Sequence, residues 1–194
     1  MAEKSESNEV KRKVVIRAAG TADCQAIGRL ARQLLQFEHA LHSEMGEQTP
    51  WAGSEAEIQK QMAQPATKFF IAERNGEVVG YVKAIVHRAG TGGTGWRGGL
   101  RAAARQLVDA ITRRPRPNVS AIGGLIPGIF VVESERNTGT GGRLLATAEN
   151  WLRGEGMTSS SIHVLQANIV ALRFWEEQGY EPIVIGLRKR LDRD

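Results

Sequence analysis

Residues Phe130 to Arg143 read Phe-Val-Val-Glu-Ser-Glu-Arg-Asn-Thr-Gly-Thr-Gly-Gly-Arg. An apolar run enters a glycine-rich turn, and the spacing beyond it predicts a helix over 141–153. A helix start carries unpaired N–H groups and a partial positive charge, so it holds phosphate well. Gly139, Gly141 and Gly142 would let the backbone come close to an anion, with Arg136 and Arg143 adding charge at the rim. Taken alone, the same residues also describe a strand-to-helix turn whose glycines serve packing. A second cluster lies downstream. Gln166-Ala167-Asn168 closes one predicted strand and opens another helix, which carries Ala171, Phe174 and Trp175 and stops at Gly179-Tyr180.

Other motifs are weaker. Gly90-x-Gly92-x-x-Gly95 matches a dinucleotide fingerprint and follows a strand. No further strand comes within a normal βαβ length, so it reads as a loop. Glu38-His39 with His42 could seed a metal site, but no second ligand cluster exists, and no metal is expected. Cys24, at a helix start, reads as a packing residue.

The elements that position these residues follow from periodicity and punctuation. A strand at Val14–Arg17 precedes a helix capped by Thr21 and running to about Phe37, with Ile27, Leu30, Leu34 and Phe37 on one face. Glu38 to Gly53 reads as a polar connection, and Glu55 to Gln64 as a short helix stopped by Pro65. Lys68–Glu73 and Glu77–His87 form a hairpin around Arg74-Asn75-Gly76. Ile122–Val132 is an apolar strand in which Pro127-Gly128 requires a bulge or break, because proline cannot donate to a ladder. After the helix at 141–153 come a strand at Ser160–Leu165, a helix from Asn168 to Gln178, and strands near Pro182–Ile185 and Leu187–Leu191. The order is that of a mixed α/β domain.

The stretch from about 88 to 118 interrupts this pattern. Its first part is glycine-rich, and its second has helical spacing from about Leu100 to Arg113, ended by Pro115 and Pro117. Six arginines and one acid, Asp109, lie between Arg97 and Pro117; the rest of the chain holds 20 basic and 20 acidic residues. The net charge of +5 therefore belongs to this segment. It reads as an insertion with a solvated basic helix, a lid or a homodimer contact, or else a patch for an anionic partner. Nucleic acid is disfavoured, since base-stacking aromatics are absent apart from nearby Trp96. The 194 residues, 41% apolar, suit one globular domain at 13–194 behind a mobile tail at 1–12. One cysteine excludes an intrachain disulfide. With no apolar stretch of signal or spanning length, a cytoplasmic protein is expected.

Arg-x-x-Gly-x-Gly, followed by Asn-x-x-Ala-x-x-Phe-Trp-x-x-x-Gly-Tyr, resembles the GNAT superfamily of N-acetyltransferases. Ile16-Arg17 with Asp23 before an amphipathic helix is similar to that family's opening. The resemblance covers the chain except the tail and the insertion. It implies a mostly antiparallel sheet of about six to seven strands flanked by about four helices. It also implies acetyl-CoA as cosubstrate and an amine acceptor on a small molecule or a protein. The turn Arg136-Asn137-Thr138-Gly139-Thr140-Gly141, with Gly142 and Arg143, would hold the pyrophosphate. Val131 and Val132 would offer backbone groups to the pantetheine arm and the thioester, with the Val132 N–H stabilising the oxyanion. Asn168 would bond the pantetheine, and Phe174 and Trp175 would pack near the thiol.

A neutral amine would attack the thioester directly, which asks for a base and an acid. Base candidates are Glu133, His87, His163 and Glu38. The family often places an acid tyrosine where Trp175 stands; an indole is no practical acid, which leaves Tyr180 or Tyr81, or an unprotonated thiolate. The resemblance puts the acceptor beside Glu38–Trp51 and about Tyr180–Arg188. His39, His42, Glu44, Glu47 and Trp51 there suit a cationic amine. Two competing readings are a GNAT-like module that binds acyl-CoA with little turnover, and a dinucleotide-binding protein using Gly90–Gly95.

Overall fold

The computed structural model describes residues 13–41, 53–87 and 123–185. The stretch expected to be an insertion, with Gly90–Gly95 and the expected basic helix, lies outside them, as do His42 to Trp51 and Leu187–Leu191. The described chain forms two compact units, one up to His163 and one from Val164.

In the first unit, β1 is Val15–Ala18, α1 Cys24–Leu41, α2 Glu55–Met62, β2 Thr67–Arg74 and β3 Glu77–His87. β4 is Gly123–Val131, α3 Thr140–Gly154 and β5 Ser160–Ser161. The strands stand in the order β1-β2-β3-β4-β5. Every neighbouring pair is antiparallel except β4 with β5. The β2–β3 hairpin closes through Asn75 and Gly76 at φ 54° and 83°. Two successive left-handed residues are what a twisted two-residue turn requires, and an Asn-Gly pair adopts them readily.

β3 is central and buried along most of its length. α1 and α2 cover one face of the sheet, through Cys24, Ile27, Leu30 and Ile58 against Phe69, Ile71 and Tyr81. α3 covers the other face with Leu144, Leu145, Ala148 and Leu152, all buried. Gly124 makes that approach possible: a Cβ there would lie 2.4 Å from Leu152 Cδ1. β1 is tied to the start of α1 by Arg17. Its guanidinium donates to Asp23 Oδ2 at 2.8 Å and Oδ1 at 2.9 Å, and reaches Glu73.

The second unit holds one helix, α4, at Ile169–Glu177. Asn168 Oδ1 caps it, accepting from the Ala171 N–H at 3.0 Å, and Gly179 follows its end at φ 83°.

Three expectations change. The sheet has five strands among the described residues, because Pro182–Ile185 joins no ladder. β5 pairs over two residues only, not from Ser160 to Leu165. α1 continues four residues past Phe37. Leu34, Glu38 and Leu41 keep the helical spacing, and the acid at the middle position disguises the stripe as a polar connection.

Candidate active site

The expected irregularity at Pro127 is a bulge. Lys83 pairs with Gly128 and Ile85 with Leu125, so Ile126 and Pro127 together oppose Ala84. The bulge turns β4 away from its parallel neighbour, whose ladder holds only Gly124–Ser160 and Leu125–Ser161. Past Leu125, β4 has no sheet partner on that side among the described residues. The Val132 N–H donates to Val79 O at 2.9 Å, toward β3. By strand alternation the N–H and C=O of Val131 point the other way, to the open edge. Arg136 is there already: its Nε donates to Val131 O at 3.1 Å, and its guanidinium lies 5.6 Å from the Phe130 ring centre. The oxyanion donor expected at Val132 is thus corrected. That amide is spent in the sheet, and the outward-facing one belongs to Val131.

Beyond β4 a single turn at Glu133–Glu135 precedes α3. Asn137 and Gly139 both take positive φ, 58° and 81°. Glycine at the cap position leaves α3 without a side-chain cap. The first amides of a helix have no acceptor within the helix itself, so those at the start of α3 depend on what lies before it. The space before Gly139 is open, with nothing within 4 Å of where a Cβ would stand. Thr138 Oγ1 donates to Glu135 O at 2.7 Å and meets Thr140 Oγ1 at 2.9 Å, which holds the turn from inside. Thr140 is buried. Gly141 and Gly142 form the first turn of α3. Arg143 leaves the rim expected for it, because its Nη2 donates to Val14 O at 2.8 Å and so ties α3 to the chain entering β1.

On the opposite face of the sheet the bulge walls a cavity of about 200 Å³. α1 contributes Leu34 and Glu38, α2 contributes Gln61, β2 and β3 contribute Phe69, Tyr81 and Lys83, and β4 contributes Pro127 and Gly128. Gly128 keeps the wall thin; a Cβ on it would sit 3.4 Å from both Leu34 Cδ2 and Tyr81 Oη. Burial pushes the Glu38 carboxyl above its ordinary range. Tyr81 is raised well above the usual phenol value, by burial first and by Glu38 second, so its hydroxyl stays protonated. Burial pulls the Lys83 ammonium down, and Glu57 opposes that in part. Lys83 Nζ donates to Gln61 Oε1 at 2.8 Å, and Gln61 Nε2 to Glu57 Oε1 at 2.8 Å.

Glu133 is exposed on the turn after β4 and does not line this cavity. His87 and His163 are exposed as well. In the second unit, Trp175 stands edge-on to Phe174 at 5.1 Å and to Tyr180 at 5.0 Å between ring centres. Asn168 spends its carbonyl oxygen on the helix cap. Lys83 and Gln61 were missed by sequence reasoning. In a strand and a short helix they look like solvated polar positions, and only the register Lys83–Gly128 brings the lysine to the bulge. Among the described residues no cluster of His, Cys, Asp and Glu could hold a metal ion, and no helix is long and apolar enough to cross a membrane.

Residues 34–180 match the Acetyltransferase (GNAT) family. An uncharacterized N-acetyltransferase of Bacillus subtilis (strain 168), YhfO, is 25% identical over 86% of this chain and 89% of its own length. Among solved structures, a mutant of the BH1408 protein from Bacillus halodurans superposes with a TM-score of 0.70 at 13% identity, covering 91% of this chain and 99% of that one. The aminoglycoside N-acetyltransferase AAC(6')-Iy, in complex with a bisubstrate analogue of CoA and acetylneamine, gives 0.63 at 19% identity, covering 92% and 99%. With the family pattern spanning both the glycine turn and the capped C-terminal helix, the chain belongs to the GNAT family of acetyltransferases and is an N-acetyltransferase that uses acetyl-CoA as cosubstrate.

Proposed function

We propose that the protein transfers the acetyl group to the amine of a small molecule seated between α1, α2 and the β4 bulge. One observation carries this reading: β4 borders both half-sites. Its outer edge beyond Leu125 lacks a sheet partner among the described residues, and its bulge walls the cavity that holds Glu38 and Tyr81. Direct transfer requires two reactants at one point, and a strand shared by both sites brings them there. The aminoglycoside acetyltransferases among the structural relatives support a small-molecule amine as the acceptor class.

The residues fit the cosubstrate. The amides at the start of α3 suit a pyrophosphate, which the open space before Gly139 admits. The outward groups of Val131 suit the amides of a pantetheine arm, which would continue the ladder. When bound, acetyl-CoA supplies a thioester carbonyl ready for attack. The Val131 N–H donates to that carbonyl oxygen as negative charge builds. Glu38 takes a proton from the acceptor ammonium, and its raised pKa brings it closer to the amine it must deprotonate. The carbon–nitrogen bond forms as the carbon–sulfur bond breaks, and the second proton that the nitrogen sheds goes to the departing thiolate, so CoA leaves as the thiol. Tyr81, held protonated by burial, supplies a hydrogen-bond donor at the bulge end of the cavity.

The test is Glu38→Gln. Loss of a general base should lower kcat by about a hundredfold while the KM for acetyl-CoA stays unchanged. In the wild type, kcat/KM rises with pH as Glu38 ionises, and that limb lies above the ordinary carboxylate range because its pKa is raised. The limb should vanish in the variant. An unchanged kcat would place the base elsewhere.

A further inference from the structure

The cavity contains two charges of opposite sign that do not neutralise each other. Glu38 lines it from α1 and Lys83 from β3, both half-buried. No ion pair joins them, and among the described residues neither has an oppositely charged partner within 4.0 Å. Lys83 instead rests on a neutral amide, Gln61, with its ammonium 5.7 Å from the centre of the Phe69 ring. Gln61 is itself fixed by Glu57 through its NH₂ group, so its oxygen is the atom turned to Lys83. A half-buried charge without a counter-ion is costly, and a ligand of opposite sign relieves that cost. Burial disfavours the charged form of both groups, as expected for two ions awaiting partners.

We propose that the acceptor is a small zwitterion, its amine directed to Glu38 and an anionic group, such as a carboxylate, directed to Lys83. The inference rests on the acetyl-transfer reading above and deepens it by naming the acceptor's second group. A polycation would place positive charge against Lys83, and a plain alkylamine would leave Lys83 unpaired. The cavity volume also argues for a compact ligand, since about 200 Å³ falls below the usual range for ligand sites, which begins at about 300 Å³. The chemistry is unchanged: the amine nitrogen gains the acetyl group and sheds two protons, one to Glu38 and one to the departing thiolate. The anionic group takes no part in bond making and serves only to hold the molecule in register.

The experiment measures CoA thiol release with matched acceptors. β-Alanine and γ-aminobutyrate are compared with propylamine, butylamine and 1,4-diaminobutane. The acid-bearing amines should be preferred in kcat/KM by about tenfold or more, with the difference mainly in KM. Lys83→Met should collapse that preference, and Lys83→Arg should retain it. Gln61→Glu, which gives Lys83 an internal counter-ion, should collapse it too and guards against a Lys83→Met protein that does not fold. Equal or better use of the plain amines or the diamine by wild-type protein overturns the zwitterion and leaves acetyl transfer standing. A preference that survives both Lys83→Met and Gln61→Glu overturns the role of Lys83. No thiol release with any amine, from protein that binds acetyl-CoA, overturns the transfer reading and this inference with it.

Discussion

At the scale of single residues, Asp23 shows how one carboxylate orders the start of the chain. It is buried, accepts two bonds from Arg17, and accepts a third from the Gly20 N–H at 2.8 Å. The Arg17 hydrogen bonds, more than offsetting desolvation, hold its pKa below the ordinary carboxylate value. A folded-state pKa below the unfolded one gives stability that is complete above the unfolded value and lost as pH falls through the folded one. Asp23→Asn should therefore cost about 2 kcal/mol at neutral pH, the usual scale for hydrogen bonds to charged groups. Urea melts at neutral and strongly acid pH check this, because the gap between the two proteins should close in acid. The motif Ile16-Arg17 with Asp23 was legible in the sequence because its partners lie close along the chain. Lys83 was not. Its meaning depends on Gln61 and Gly128, which only the folded register brings near. Glu38 lay between, named as one base among several but placed in a connection because the helix that carries it looked finished at Phe37.

At the scale of elements, the start of α3 is the clearest case of sequence dictating form. Gly139 takes a backbone angle that other residues resist, and a glycine cap leaves the first-turn amides without a side-chain acceptor. Gly141→Asp tests what those amides are for. An acid in the first turn favours a helix, so the fold should be as stable or more so. CoA affinity should nevertheless fall by about tenfold, or ~1.4 kcal/mol, because the carboxylate occupies the phosphate's place. Calorimetric titration beside a thermal melt separates the two effects, and unchanged CoA affinity would remove the phosphate from this turn. The turn was readable because its glycines are local. The uses of Arg143 and of the Val132 amide were not, since Val14 and Val79 reach them from distant parts of the chain. The bulge was foreseen from Pro127 alone, yet its position against Ala84 needed the ladder.

At the scale of the whole molecule, the paired strand ends decide how much of the chain the sheet requires. His87, at the end of β3, lies directly opposite Gly123, at the start of β4. The chain thus leaves the sheet and re-enters it at neighbouring points, whatever lies between. We expect a short Gly/Ser turn in place of residues 88–122 to close these strands as a hairpin, at modest loop-entropy cost. The shortened protein should fold cooperatively and retain CoA affinity, since the proposed contacts lie on β4, the following turn and α3. Acceptor selectivity or oligomeric state should change, because the removed segment carries seven arginines and one acid, a net +6 against +5 for the whole chain. Chemical denaturation, CoA titration and light scattering on the deletion protein check the three parts. An unfolded product would make the segment part of the core.

The side of β4 that lacks a sheet partner among the described residues has a consequence for life in a crowded solution. A strand edge with idle amides and carbonyls will accept any extended chain that meets it, which is how sheets stick to one another. Two features blunt this one. Pro127 has no N–H to offer, and the Arg136 side chain lies across Val131 O with its charge outward. The opening proposed to receive the cosubstrate is thus guarded against being zipped shut by a neighbour's backbone, and the arginine that guards it is one that would also attract the phosphates of that cosubstrate.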